Sequence, residues 1–70
     1  MAIFPNPSRD GLFQLKTDSN DFSWTVFDMT GKTVLQGNTQ QIDLRAHEKG
    51  LYVIKILTDK TGYRMKLIKL

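Results

Sequence analysis

Few side chains in this sequence are suited to catalysis, which needs several polar groups that converge on one reacting atom. The 70 residues include one histidine, seven acidic residues and no cysteine. His47 and Glu48 are followed by Lys49 and Gly50, a pattern typical of a solvated turn, and no partner at a recognisable spacing would make His47 a general base or a metal ligand. The chain is therefore predicted not to be an enzyme and to need no cofactor.

Asp18, Asn20 and Asp21 carry the oxygen atoms that Ca²⁺ prefers and lie close together in the sequence. The calcium-loop pattern also requires a central glycine and a terminal glutamate, and both are missing. A solvated hairpin loop explains these residues better. Because the chain has no cysteine, thiolate zinc sites and disulfide frameworks are excluded as well, and no metal site is predicted.

Basic and aromatic residues together raise the question of nucleic-acid binding. The net charge is +3, and the last eleven residues hold four of the cations: Lys60, Arg64, Lys66 and Lys69. Four rings would be available to stack on bases: those of Trp24, Phe27, Tyr52 and Tyr63. Trp24 and Tyr52, however, lie in alternating apolar runs, where so small a domain needs aromatic side chains for its core. Terminal cations also protect an exposed edge strand from pairing, so no nucleic-acid partner is predicted.

The elements that position these side chains are predicted to be β-strands. No segment of helical length has a sustained i, i+3, i+4 apolar face, whereas several short runs alternate with period two. Strands are predicted in residues 11–17 and 22–27, around residues 34–35 and 42–44, and in residues 51–58, which are rich in β-branched and aromatic residues and should lie in the centre of a sheet. Turn residues separate the runs at intervals of about 8–12 residues, so an all-β sandwich of six or seven short strands is predicted.

The two ends of the chain carry further structural signals. Residues 59–62 begin with Asp and end with Gly, which predicts a type I turn and an antiparallel hairpin between residues 51–58 and 63–70. In the last strand Arg64, Lys66 and Ile68 share one face, which is predicted to be largely polar and wet. Pro5 and Pro7 lack backbone donors, so residues 4–8 should run extended, as an edge strand or an opening segment.

Length and hydropathy limit the organisation to one small domain. At this size only about 60% of the surface of the unfolded chain is buried on folding, so the core must be thin. The longest uncharged apolar run, residues 51–54, is far too short to cross a bilayer. The first residues also lack the basic and apolar regions of a signal peptide. Residues 44–49 could form only a single helical turn.

The order of short motifs along the chain is more informative than any single group. Ile-Phe-Pro-Asn-Pro-Ser opens the chain at residues 3–8, and Asp-Gly-Leu-Phe follows at residues 10–13. Further motifs lie at residues 26–32, 42–44 and 49–56, and Lys-Leu-Ile-Lys-Leu ends the chain at residues 66–70. In this order the chain resembles the C-terminal sorting domain of cargo proteins of the type IX secretion system of Bacteroidetes.

The resemblance implies an immunoglobulin-like β-sandwich of residues 3–70, carried at the end of a larger exported cargo protein. It further implies transit through the periplasm and recognition by the outer-membrane translocon and its shuttle components, followed by delivery to the cell surface or secretion. A cell-surface cysteine peptidase that acts as a sortase would then remove the domain and attach the cargo to an anionic lipopolysaccharide. Met1 and Ala2 are expected to come from cloning, and the cleavage junction is expected to lie upstream of Ile3.

Motif residues of the family are matched at seven positions: Pro5, Asn6 and Pro7 in the opening motif, Gly50 and Tyr52 in a central Gly-x-Tyr, and Lys66 and Lys69 in a terminal lysine pattern. Gly50 is predicted to adopt a positive φ or to pack closely. Tyr52 is predicted to bury its ring and to bond its hydroxyl near the rim of the sandwich. Asn6 is predicted to bond neighbouring backbone through its amide and so to fix the opening segment.

The last strand is predicted to be the part that a receptor reads, because a signal must be exposed. The predicted recognition residues are Lys66, Leu67, Ile68, Lys69 and Leu70. A receptor would add a strand to the backbone edge, take up Ile68 and Leu70 in pockets and pair acids with the lysines. Removing the final residues should then abolish export and leave the domain folded. The same edge would allow a strand-paired homodimer of the isolated domain.

Two other functions are left open by the residues alone. An adhesive or carbohydrate-binding sandwich would need an exposed aromatic platform, for which Trp24 is the test. A small basic nucleic-acid-binding domain would bind oligonucleotides with a strong dependence on salt.

Overall fold

Seven β-strands and no helix make up the structure, a computed structural model that describes residues 1–70. The strands are β1 (Ala2–Phe4), β2 (Leu12–Lys16), β3 (Phe22–Phe27), β4 (Thr33–Gly37), β5 (Gln41–Asp43), β6 (Gly50–Thr58) and β7 (Gly62–Lys69). They form a three-stranded sheet in the order β1-β2-β5 and a four-stranded sheet in the order β4-β3-β6-β7, and every pair within the sheets is antiparallel. The predicted all-β sandwich is confirmed, with seven strands.

Along each strand every second side chain points into the space between the two sheets. Ten apolar residues form a single core there: Phe13, Leu15, Trp24, Val26, Ile42, Leu44, Tyr52, Ile54, Ile56 and Leu67. Both sheets contribute to this cluster, so each sheet covers the apolar face of the other. Because the chain has no disulfide, this core and its hydrogen bonds must hold the domain together.

β6 occupies the position that its sequence predicted, between β3 and β7 in the four-stranded sheet. Its hairpin with β7 runs from the Leu57–Gly62 pair to the Gly50–Lys69 pair. The loop of the hairpin is closed by Thr58 rather than by Asp59, the residue predicted to begin the turn. The Thr58 N–H donates to Thr61 O over 2.8 Å, and the Thr58 hydroxyl oxygen accepts the N–H of Thr61 over 3.1 Å.

The outer face of the four-stranded sheet is less polar than predicted. Arg64 and Lys66 of β7 are exposed there, as expected. Beside them, however, Phe27 of β3 and both Leu51 and Val53 of β6 are half-buried on the same face. The prediction considered β7 alone, and the neighbouring strands supply the apolar side chains.

Residues 44–49 connect β5 of one sheet to β6 of the other through one turn, in which the His47 N–H donates to Leu44 O over 3.0 Å. The turn does not extend into a helix, in agreement with the prediction that residues 44–49 are too few for more than a single turn. No helical segment here meets the length and hydropathy of a membrane span.

Trp24 lies in the core, and only 4% of its surface is exposed. Its indole Nε1–H donates to Thr39 O over 2.8 Å, so the polar atom of the ring is satisfied. Gly37 lies opposite Trp24 in β4, and a Cβ there would approach the ring to 3.0 Å. A side chain at residue 37 would therefore crowd the indole, which would have to shift by a few tenths of an ångström.

Because Trp24 is the one tryptophan of the chain, its fluorescence reports on this packing. We expect blue-shifted emission and little quenching by acrylamide in the folded domain, because water and quencher do not reach the ring. Both properties should be lost in urea, which serves as the control. Emission of the folded domain that matches the unfolded chain would contradict the described burial.

Candidate functional site

The candidate site lies where the last residues of β7 meet two connections: residues 5–11 between β1 and β2, and residues 44–49 between β5 and β6. Residues 5–8, the N-terminal strap, leave the three-stranded sheet after β1 and reach the edge of β7 in the other sheet. Pro5 and Pro7 offer no backbone donor. The strap therefore bonds to β7 through the two residues that can donate, Asn6 and Ser8.

The Asn6 carboxamide pairs with the backbone of β7 as a strand would. Its Nδ2 donates to Lys66 O over 2.7 Å, and its Oδ1 accepts the Ile68 N–H over 3.1 Å. The amide thus bonds backbone, as predicted, but its partners lie about sixty positions away along the chain and not next to it. One side chain joins the first and last segments of the domain.

Ser8 continues this pairing with its own backbone. The Ser8 N–H donates to Ile68 O and Ser8 O accepts the Leu70 N–H, both over 2.9 Å, in a short parallel bridge to β7. The outer edge of β7 is therefore already paired from Lys66 O to the Leu70 N–H. A partner strand, or a second copy of this domain, would find only residues 62–65 of this edge uncovered.

The Ser8 side chain fixes the turn that follows the strap. Ser8 is fully buried, and its hydroxyl oxygen accepts the Gly11 N–H over 3.1 Å. The same hydroxyl lies 3.0 Å from both Asp10 Oδ1 and Leu12 O. Asp10 Oδ1 also accepts the Leu12 N–H over 3.0 Å, and this bond, together with the one from Ser8, holds the pKa of the Asp10 carboxyl below its ordinary value.

Lys69 joins β7 to the second connection. Its Nζ donates to Leu44 O over 3.0 Å, to Arg45 O over 3.1 Å and to His47 O. These carbonyls give the ammonium three acceptors within the domain, so Lys69 is not a free cation for a receptor acid. The Lys69 stem passes against Gly11, where a Cβ would lie 2.9 Å from Cδ and Cε and where φ is +87°.

Gly50 and Tyr52 complete the second connection from the side of β6. Gly50 has the positive φ that was predicted, +142°, with open space around its Cα and no close packing. The ring of Tyr52 is buried, and its hydroxyl donates to Glu48 O. Burial of the ring raises the pKa of Tyr52, and the Glu48 charge adds to this. Both residues therefore hold the path of residues 48–50 into the sheet.

The five predicted recognition residues have different positions in the folded domain. Lys66 and Leu70 are exposed, Leu70 to 58%, and Ile68 is half-buried. Leu67 belongs to the core, and the Lys69 ammonium is engaged by carbonyls. Only Lys66, Ile68 and Leu70 thus present side chains to a partner, and contact of these residues with a receptor stays a prediction.

Ser8, Gly11 and the packing role of Lys69 were missed by the sequence analysis. Serine and lysine are mostly exposed residues, and their types do not indicate burial or internal bonding. The signal that pointed to them was positional, because Ser8 and Gly11 lie inside the two motifs that open the chain. His47 and Glu48 matter here for their backbone carbonyls, which bind Lys69 and Tyr52.

No group of three or more His, Asp or Glu side chains is placed to hold a metal ion. Asp18, Asn20 and Asp21 lie in the connection between β2 and β3, where they line an open cleft with Thr58 and Tyr63 beside the 59–61 loop. The polar chemistry of the domain is concentrated instead at the opposite end, around the closing residues of β7.

The sequence model of a family described as secretion system C-terminal sorting domain matches residues 2–70. No curated protein matches the chain in a sequence search. The family match confirms the resemblance drawn from the order of the motifs. It begins at Ala2, which pairs with Lys16 in the first strand.

The Asn6 pairing predicts the effect of Asn6→Ala. Loss of two exposed hydrogen bonds should lower the free energy of unfolding by about 1–2 kcal/mol. The Ile68 amide should also exchange its hydrogen faster, because its acceptor is gone. Asn38→Ala, an exposed loop change, is the matched control and should change stability by less than about 0.5 kcal/mol. Equal exchange at Ile68 in the variant and the parent would contradict the described pairing.

Because Lys69 donates to three carbonyls, two lysines of the same strand should differ in how much they contribute to stability. Lys69→Met should lower the free energy of unfolding by about 2 kcal/mol, because it removes charge-assisted hydrogen bonds to three carbonyls. Lys66→Met, at an exposed position, should have little effect on unfolding by urea. If the two variants were equally stable, Lys69 would not have the structural role described.

Proposed function

The chain belongs to the family of secretion system C-terminal sorting domains, and from this membership we propose that it directs a larger cargo protein, joined to its N-terminal side, across the outer membrane and is recognised at the end of β7. The family consists of type IX sorting signals and is not a family of enzymes. A signal of this kind implies export to the cell surface or secretion.

The observation that carries the proposal is the way the closing residues are held. The strap pairs the outer edge of β7, and Lys69 anchors its end to residues 44–47. The backbone that carries Lys66, Ile68 and Leu70 is therefore held in one conformation. A receptor that binds a pre-ordered surface does not have to order it, so affinity is gained without extra contacts.

The translocon and its shuttle components are the receptors in this proposal, and they meet the domain in the periplasm. Because the edge of β7 is already paired from Lys66 to Leu70, we place recognition on side chains there and not on the addition of a strand. Leu70 fills an apolar pocket, and Lys66 pairs with a receptor acid.

Removal by a sortase follows export in this proposal. A cell-surface cysteine peptidase cleaves in the segment before β1 and attaches the cargo to an anionic lipopolysaccharide. β1 is an edge strand, and both Met1 and Ala2 are exposed. A segment that enters the domain at this point lies on the surface, where a protease reaches it without unfolding the sandwich.

The alternatives lose their main supports. The carbohydrate-binding hypothesis depended on an exposed indole, and Trp24 is buried. The nucleic-acid hypothesis depended on stacking rings and a cluster of cations, but Trp24 and Tyr52 fill the core and Lys69 binds carbonyls of its own chain.

The structure also changes the expected effect of truncation. Removing residues 66–70 would take Leu67 out of the core and would remove the hydrogen bonds of Lys69 to residues 44–47. Lost export of such a truncation could therefore result from unfolding. The Leu70 side chain is separable from the fold, because it is exposed and contributes nothing to the core.

Leu70→Ser should therefore reduce export of a fused reporter without unfolding the domain. Burial of such a side chain in a receptor pocket contributes about 1.5–3 kcal/mol, which corresponds to at least about a tenfold loss of affinity. The reporter carries this chain at its C-terminal end and an inner-membrane export signal, in a bacterium with a working type IX system, and is assayed in the periplasm and outside the cell. Tyr63→Ser, which changes an exposed apolar ring at the other end of β7 and on the opposite face of the sheet, is the control. Unchanged export of the Leu70→Ser fusion would contradict recognition at the end of β7.

A further inference from the structure

The outer face of the four-stranded sheet carries a second apolar cluster that is separate from the core. Phe27, Leu51, Val53 and Ile68, the outer cluster, are half-buried, yet none belongs to the side chains that pack against the core. Phe27 pairs with Val53 across β3 and β6, and Leu51 pairs with Ile68 across β6 and β7. The four side chains shield one another on a surface that faces solvent.

Three cations lie beside this cluster on the same face, on β6 and β7. Lys55 pairs with Arg64 and Val53 pairs with Lys66, and all three basic side chains are exposed. The one salt bridge of the domain, between Arg45 and Asp43, lies elsewhere. The three charges on this face therefore have no ionic partner within the chain.

Acidic residues are missing from all four strands of this sheet. β3, β4, β6 and β7 contain neither Asp nor Glu. Asp28, which directly follows Phe27, accepts hydrogen bonds from the Thr30 N–H, the Thr30 hydroxyl and the Lys32 N–H, so its carboxylate is bonded within its own loop. The three-stranded sheet differs, because its exposed positions include both Lys16 and Asp43. The strands of the four-stranded sheet thus carry only basic charges, whereas those of the three-stranded sheet carry charges of both signs.

A shallow depression of about 340 Å³ adjoins the outer cluster. Its lining includes Phe27, Val53 and Arg64, together with Asp28 and Met29 of the β3–β4 connection, and Met29 is 64% exposed. A partner side chain placed there would meet apolar atoms and a guanidinium, with one carboxylate beside them.

We propose that this sheet face is a docking surface for a protein partner whose own surface places acidic side chains beside apolar ones. The inference rests on the proposed sorting function, because it assigns a partner surface beyond the end of β7. Charge complementarity identifies the partner, because three unpaired cations beside an apolar cluster match carboxylates beside an apolar patch. A receptor that grips the end of β7 would reach this face, since Lys66 and Ile68 belong to it.

A protein surface fits this face better than an anionic membrane does. The apolar side chains of the outer cluster lie half-buried in the sheet, so they do not project far enough to enter the hydrocarbon of a bilayer. A small apolar cluster with charged residues beside it, as on this sheet face, is instead typical of a protein–protein interface.

The test uses two substitutions on this face in the reporter fusion described above. Lys55→Glu reverses one rim charge and places the new carboxylate opposite Arg64, which favours the fold. Val53→Thr keeps the β-branched shape and removes apolar contact. Export of each variant should fall at least about tenfold, because a repelling charge or a lost apolar contact at an interface weakens binding by that order. Lys16→Glu, which makes the same charge change on the other sheet, is the matched control and should export normally.

Thermal unfolding of the purified fusions separates docking from folding. Lys55→Glu and Lys16→Glu should melt within a few degrees of the parent, so lost export of the first alone supports docking. Equal export of Lys55→Glu, Val53→Thr and the parent overturns it. Binding of the parent fusion to phosphatidylglycerol vesicles that is lost in Lys55→Glu would also overturn it, in favour of a membrane.

Failure of the sorting function itself would look different. If the parent fusion stays in the periplasm of the competent host, the proposed function is wrong and the docking surface falls with it. If the parent is exported and Leu70→Ser is retained while Lys55→Glu and Val53→Thr are exported normally, the proposed function stands and only the docking surface is rejected.

Discussion

The pairing of the outer edge of β7 with the N-terminal strap is the constraint on which the rest of this domain depends. Two sheets that share ten core side chains need something to fix them at their ends, and here the Asn6 amide and the Ser8 backbone bind the last strand from the opposite sheet. Lys69 then extends the link to residues 44–47, which lead from one sheet to the other. Both connections at this end of the sandwich are therefore tied to the last residues of one strand.

This constraint explains why the family motifs lie so far apart in the sequence and yet act together. The opening motif supplies the strap, the central Gly-x-Tyr holds residues 48–50, and the terminal lysine pattern divides into an internal cation, Lys69, and an external one, Lys66. The polar atoms of Asn6, Tyr52 and Lys69 thus bond within the domain and stabilise its fold. The sorting domain is therefore a folded unit, and in the proposed function a receptor binds the surface that these bonds hold in place.

A domain of this size has little stability to spare. It lacks disulfides, and no buried side-chain polar atom is left without a partner. The fully buried Ser8 is tolerated because its hydroxyl and both backbone groups are bonded. The surface differs from the core, because the outer cluster leaves apolar atoms partly exposed beside unpaired cations. This arrangement does not stabilise the isolated domain, and it is the basis of the proposed docking surface.

The sequence by itself determined β2 to β7 and the inward-facing residues, because side-chain alternation with period two is a local property of each strand. It placed the opening extended segment at residues 4–8, whereas β1 lies at residues 2–4. It predicted β6 in the centre of a sheet, the hairpin with β7, and the burial of Trp24 and Tyr52. The tertiary structure decided which groups meet across long separations. Asn6 finds Lys66 and Ile68 about sixty residues away, and Lys69 turns inward to carbonyls although lysine is usually solvated. These pairings depend on how the two sheets are stacked, and no local pattern of residues carries that information.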